Sequence, residues 1–242
     1  MRSLPFLLLA GLPVLLASRA QAQTSFSIGP RVGLNVATYH FPVKPIIGTI
    51  GYRPGFEAGL AANLGRGHFA LQAAALYSQK GFTQRYTADY RTSNNVSMGT
   101  VDAEFRNRLH YLTIPLSFAY TQGSDGQGAQ VFAGPYLGVL LGGRYETTET
   151  PRDGSEPLTY GGAITPISGT AADFAYHAQR FDVGLQAGLG YRYRSLLLQA
   201  NYSLSLRSLA VGYSYNGVTS SNPVHYNRAF QGSLTYLFGK QG

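Results

Sequence analysis

Apolar and polar residues alternate with a period of two along much of this chain, which predicts strands that face two different environments. The clearest run is Phe181 to Tyr193. Phe181, Val183, Leu185, Ala187, Leu189, Tyr191 and Tyr193 share one face, and Asp182, Gly184, Gln186, Gly188, Gly190 and Arg192 share the other. If Arg194-Ser195 forms a two-residue turn, the next run comes back alongside it; Arg-Ser is not a favoured turn dipeptide, and a slightly longer turn is the alternative. With the two-residue turn Asp182 falls opposite Arg207, Gly184 opposite Ser205, Gln186 opposite Ser203 and Gly188 opposite Asn201, while Val183, Leu185 and Tyr191 meet Leu206, Leu204 and Leu198. A slip of one residue would mix the two faces throughout, so this register is strongly specified.

The same test predicts about eight strands, over residues 25–39, 52–64, 68–80, 108–120, 129–143, 180–193, 196–209 and 225–238. Each is near the length that crosses a bilayer at a tilt. The connections run alternately long and short, with long loops at 81–107 and 144–179 and a minimal turn at 194–195. The expectation is an all-β fold, an antiparallel transmembrane β-barrel with its long loops outside the cell and both termini periplasmic. Aromatic residues fall near both predicted rims, with Tyr39, Tyr52, Tyr77 and Tyr145 at one and Tyr120, Tyr191, Tyr193, Tyr236 and Phe238 at the other.

Composition supports a surface that water does not cover. Only 12% of the 242 residues are charged, while aromatics make up 13% and Gly contributes 30 residues. Arg2, the apolar run from Leu4 to Ala17 and the small-residue pattern Ala20-Gln21-Ala22 predict a cleaved signal peptide over 1–22, leaving residues 23–242 as one barrel domain. No later stretch approaches a spanning helix. The leader holds Arg2 and Arg19, so the mature chain retains 17 of the 19 basic residues against 11 acidic ones. These bases are dispersed over many segments, which argues for contact with anionic lipid and against nucleic acid. With no cysteine there is neither a disulfide framework nor a thiolate metal site.

Several segments resemble the PorT-like outer-membrane β-barrel family. His110-Tyr111-Leu112-Thr113-Ile114-Pro115-Leu116-Ser117-Phe118-Ala119-Tyr120 is similar to its Tyr-Leu-x-Ile-Pro-Leu strand, Ala133-Gly134-Pro135-Tyr136-Leu137-Gly138 to the strand that follows, and Leu234-Thr235-Tyr236-Leu237-Phe238 to its C-terminal strand. The resemblance implies an exported barrel and a link to protein secretion. It carries no functional residue motif onto this chain.

Three sets of residues are candidates for function. Arg31, Glu57, Asp182, Gln186, Arg192 and Arg207 fall on the predicted inner face, as a polar network that fills the lumen or, alternatively, lines a porin-like channel for small solutes. Arg85, Arg106, Arg108, Arg144 and Arg180 fall near the outer rim, where they could engage lipid headgroups of the outer leaflet, an anionic glycolipid among them. The long loops are the expected contact points for envelope proteins. An enzyme at the rim is the remaining alternative. His40, His110, His177 and His225 map to the outer rim and His68 to a turn at the opposite end, without ligand spacing, and no His falls beside Ser205 and Asp182. The expectation is therefore a non-enzymatic bacterial outer-membrane protein without cofactor or metal.

Overall fold

The structure, a computed structural model, describes residues 24–43, 48–91, 93–94, 97–173, 175–215 and 218–239. The leader expected over residues 1–22 lies outside the described residues. The strands are β1 (Thr24–His40), β2 (Thr49–Arg66), β3 (Phe69–Arg91), β4 (Ser97–Thr121), β5 (Gly128–Pro151), β6 (Leu158–Ile167), β7 (Thr170–Ala171), β8 (His177–Gln179), β9 (Phe181–Tyr193), β10 (Leu196–Ser205), β11 (Gly212–Tyr215), β12 (Val218–Ser221), β13 (Tyr226–Tyr236) and β14 (Phe238–Gly239).

Eight of them close a ring in the order β4-β3-β2-β1-β13-β10-β9-β5, with β5 pairing back onto β4. Every ring pairing is antiparallel. Closure removes the unpaired edges that an open sheet would expose. Alternation sorts the side chains as the sequence pattern requires. Along β4, Leu112, Ile114, Leu116, Phe118 and Tyr120 are exposed on the outer wall, while Tyr111, Thr113 and Ser117 are buried inside.

The β9–β10 hairpin has Tyr193 opposite Leu196, so Arg194 and Ser195 form the whole turn, and Gln186 lies opposite Ser203 and Gly188 opposite Asn201. Arg194 takes φ +53°, a left-handed conformation that L side chains adopt at a cost. The β2–β3 turn uses Gly67 at φ +59°, where glycine is free of that penalty. Thr24 pairs with Arg66 and Phe238 with Ile28, so both described termini lie at this short-turn end. Tyr120, Tyr191, Tyr193, Tyr236 and Phe238 are all exposed around it.

The long-loop end differs from the sequence expectation. Residues 81–107 are largely continuous strand: β3 and β4 remain paired out to Arg91 opposite Ser97. β5 continues to Pro151 and acquires a new neighbour, β6, from Gly143 to Glu149. These extensions depart from the membrane pattern because their polarity is inverted: Phe82, Val101 and Ala103 are buried on the inner face while Asp102 and Glu104 face outward, so the outward apolar stripe of the band is absent there. Outward pairs replace that stripe: Thr87 Oγ1 donates to Asp102 Oδ1 at 2.7 Å and Arg85 reaches Glu104 at 3.3 Å. The result is a sheet, polar on its outward face, that projects past the ring. β10, by contrast, stops at Ser205, four residues short of its expected end.

Candidate functional site

The lumen is bridged at two levels. At the first, Arg31 Nη2 donates to Glu57 Oε1 at 3.0 Å and Arg31 Nη1 to Gln199 Oε1 at 3.2 Å. Gln199 Nε2 continues to Gln72 Oε1 at 2.9 Å, and Gln72 Nε2 to Gln130 Oε1 at 3.2 Å. β10 and β3 stand four places apart in the eight-membered ring, so the Gln199–Gln72 bond spans the full diameter. Arg31 and Glu57 meet diagonally, because Arg31 is opposite Gly59 and Glu57 opposite Gly33. A cavity of ≈ 20 Å³ beside this layer has room for about one water.

The second level centres on Asp182, which is fully buried. Lys80 Nζ donates to its Oδ2 at 3.4 Å, Asn227 Nδ2 to the same oxygen at 2.9 Å, and the Tyr136 hydroxyl to Oδ1 at 3.3 Å. Lys80 also sits 4.6 Å from the Tyr136 ring centroid, within cation–π range. Tyr136 gets this close because Gly184 lies under its ring: a Cβ there would meet Tyr136 Cε1 at 2.5 Å and the Leu204 carbonyl oxygen at 2.2 Å. Between the two levels Gln186 Nε2 donates to Ser117 Oγ at 2.9 Å. Beyond the second level an apolar cluster of Tyr39, Phe82, Leu109, Tyr111, Leu140, Ile164, Ala178 and Leu209 occupies the barrel toward the long-loop end. Tyr39, expected at the outer rim, is therefore an interior residue, stacked on Phe82 and His225 at 4.5 Å each.

One expected lumen pair is corrected. Arg207 is exposed and makes no ion pair with Asp182. The last rung of the β9–β10 ladder is Leu206 N to Val183 O, after which the chain turns away and the Arg207 carbonyl accepts the Ser205 hydroxyl at 2.8 Å. Lys80, from the far side of the lumen, answers the Asp182 charge instead. Arg192 is buried inside near the short-turn end, where Nε reaches the Arg194 carbonyl at 3.4 Å and no ion pair forms among the described residues. Lys80 was legible in principle, since it continues the inward parity of Ser78 and Leu76 on β3.

The rim arginines separate into two groups. Arg106, Arg108 and Arg144 line one cleft of ≈ 590 Å³ on the outer wall, together with Arg53, His110 and Glu146. Arg85 lies further out, paired with Glu104, and Arg180 does not line the cleft. Arg53 was missed because β2 carries a register shift between Tyr52 and Glu57 that breaks the simple parity there. The histidines are scattered. His225 and His177 are buried, His110 is on the outer wall beside Tyr77, and among the described residues no three His, Asp or Glu side chains converge as metal ligands would. His177 Nε2 meets Asp173 Oδ1 at 2.5 Å, and that hydrogen bond holds the Asp173 carboxyl below its ordinary range.

A closed eight-stranded antiparallel barrel with an apolar exterior and a polar interior is the architecture of a transmembrane β-barrel. The chain belongs to the family described as outer membrane protein beta-barrel domain, which matches residues 20–211, and it is accordingly a protein of the bacterial outer membrane. Among curated proteins, none matches the chain significantly in sequence. Similar solved structures include the outer membrane protease OmpT of Escherichia coli, 11% identical over 89% of this chain and 96% of that one with a TM-score of 0.39. The outer membrane protein OprG of Pseudomonas aeruginosa is 11% identical over 89% of this chain and 93% of that one, with a TM-score of 0.26.

Proposed function

We propose that this chain is a non-enzymatic outer-membrane barrel with a filled lumen, whose work is done at its long-loop end through surface contacts or envelope assembly. The observation that carries the reading is the transverse bonding of the interior. A solute path would have to pass the Gln199–Gln72 bridge and then the Lys80–Asp182 pair, both buried, before meeting the apolar cluster. Eight-stranded barrels enclose a space that side chains alone can fill.

In this reading both termini are periplasmic and the polar extension of β3, β4, β5 and β6 stands outside the cell. The short turns at the terminal end support that direction, as such barrels keep their short turns periplasmic. The PorT-like resemblance of the Tyr111 to Leu116 segment makes a secretion assembly one candidate partner.

Two measurements test the proposal. Purified barrel in planar bilayers is expected to give no stable conductance, and a large, stable conductance altered by Lys80→Met would establish a channel in its place. The chain has no cysteine, so Ser155→Cys and Ser124→Cys give clean labelling sites at opposite ends. A membrane-impermeant maleimide on intact cells should label the first and spare the second. The reverse pattern would invert the orientation.

A further inference from the structure

The outer wall carries a charge pattern that the barrel itself leaves unbalanced. On β4 the outward parity that presents Tyr120, Phe118, Leu116, Ile114 and Leu112 continues without a break to His110, Arg108 and Arg106. The nine residues of tilted strand from Tyr120 to Leu112 rise roughly 20 Å, close to the height of the apolar band of such barrels. Arg108 is thus the first charged residue of this strand above the band. Its direct cross-strand neighbour on β5 is Arg144. On its other side it faces Gly81, and the stem of Arg53 lies against that glycine, with Cδ 3.3 Å from where a Cβ would stand.

Like charges directly opposite on an antiparallel pair are destabilising. The next tier of the same wall shows how the chain ordinarily avoids this. Arg85 and Arg106 share Glu104, Arg106 also reaches Glu146 at 3.5 Å, and Arg152 holds Asp102 at 2.7 Å. At the level of the band edge, among the described residues, Arg53, Arg108 and Arg144 have no carboxylate within ion-pair distance. The cleft they line sets four arginines against the single acid Glu146.

We propose that Arg53, Arg108 and Arg144 form a binding site for a phosphate group of a phosphorylated outer-leaflet glycolipid, whose acyl chains lie along the Leu112 side of the wall. Guanidinium groups match phosphate oxygens bidentately, and a ligand anion would remove the Arg108–Arg144 repulsion that the fold tolerates. The source of the phosphate, outer rather than inner leaflet, rests on the orientation proposed above; the phosphate chemistry does not.

The test uses the purified full barrel in neutral detergent, with native mass spectrometry to count retained lipid and urea titration to read stability. The probes are diphosphoryl lipid A, its dephosphorylated counterpart and inorganic phosphate. Diphosphoryl lipid A should be retained in preference to the dephosphorylated form, and Arg108→Gln and Arg144→Gln should each weaken retention on the order of tenfold. Arg152→Gln, in the paired tier, should leave it unchanged.

Stability supplies an independent readout. Without lipid, Arg108→Gln should raise the urea midpoint by relieving like-charge repulsion; with diphosphoryl lipid A present it should lower the midpoint relative to wild type. A purely structural arginine would lower both. Equal retention of the dephosphorylated lipid, equal loss in Arg152→Gln, or saturation by inorganic phosphate with no lipid retained would each overturn the site as stated. If the arginine dependence appears but the Ser155→Cys labelling places this wall at the periplasmic side, the phosphate site stands and the outer-leaflet source falls.

Discussion

Removing Lys80 while keeping Asp182 is the sharpest test of the filled lumen. The two side chains are 1% and 0% exposed, so Lys80→Met leaves a carboxylate in the barrel interior with only neutral donors, Asn227 Nδ2 and the Tyr136 hydroxyl. Breaking a buried pair from one side costs about 3–5 kcal/mol, and the two remaining donors favour the lower part of that range, about 3 kcal/mol. Removing both charges is a different perturbation. Methionine keeps most of the lysine's volume, and Asp182→Asn keeps the shape and the bond from Asn227 or Tyr136. The double variant should therefore fall within about 1 kcal/mol of wild type, since a buried ion pair and a neutral filling are often close in energy.

The assay is reversible urea unfolding in detergent or lipid vesicles, with the two single variants and the double variant forming a cycle. Direct coupling predicts an interaction term of about 2 kcal/mol or more. Additive losses, with the double variant as damaged as the sum of the singles, would refute the idea that Lys80 and Asp182 answer each other across the lumen. Conductance recorded from the same samples separates filling from charge. If the interior is closed by packing as well as by the ion pair, the double variant should still not conduct.

Three further predictions follow from the geometry. Gly184→Ala should destabilise by about 1–3 kcal/mol, because the new methyl meets the Leu204 carbonyl and displaces the Tyr136 ring from Asp182; urea midpoints of Gly184→Ala with and without Tyr136→Phe check this. Arg194→Gly should be neutral or stabilising by up to about 1 kcal/mol, as glycine adopts the left-handed turn conformation freely, and a lower midpoint would refute it. Burial holds the His225 imidazole below its ordinary value, with the Pro223 carbonyl opposing, so the unfolded chain takes up this proton first as pH falls. Its contribution is therefore intact above pH of about 6.5 and declines as acidification proceeds through the lower folded value. His225→Phe, which keeps the stack on Tyr39, should flatten the midpoint between pH 7 and 5 relative to wild type.

How much of this was legible in the sequence depends on which rule fixed each feature. The β9–β10 register could be read because the period-2 pattern leaves one solution in which Gln186 and Ser203 share a face with Gly188 and Asn201, and because Arg194-Ser195 admits a two-residue turn. The Arg31–Glu57 diagonal followed from the same local rule on neighbouring strands. The outer halves of β3, β4 and β5 escaped it. There Thr87, Asp102, Arg85 and Glu104 form the outward face and Phe82, Val101 and Ala103 the buried inner one, the reverse of the membrane band, so a pattern that looks for apolar residues outside passes over them.

The error at Arg207 has a different origin and shows what the barrel adds to its strands. Register places Asp182 opposite residue 207 on the adjacent strand, and that arithmetic is right as far as the Leu206 rung. A ladder specifies only neighbours, however, and ring closure introduces a second set of proximities between strands three and four places apart. Lys80 lies three places around the ring from Asp182, and Gln72 four places from Gln199. These contacts depend on strand number, tilt and stagger together, quantities that no single pair of strands contains. At mid-lumen the same closure bars Asp182 from bulk water, and its counter-charge, Lys80, comes from another wall, whereas Arg31 finds Glu57 on the adjacent strand and Arg192, nearer the short-turn end, forms no ion pair among the described residues. On the outer wall the pairs Arg85–Glu104 and Arg152–Asp102 are supplied by the neighbouring strand, and the absence of such a counter-charge between the facing residues Arg108 and Arg144 is the ground on which an anion from outside the chain is proposed.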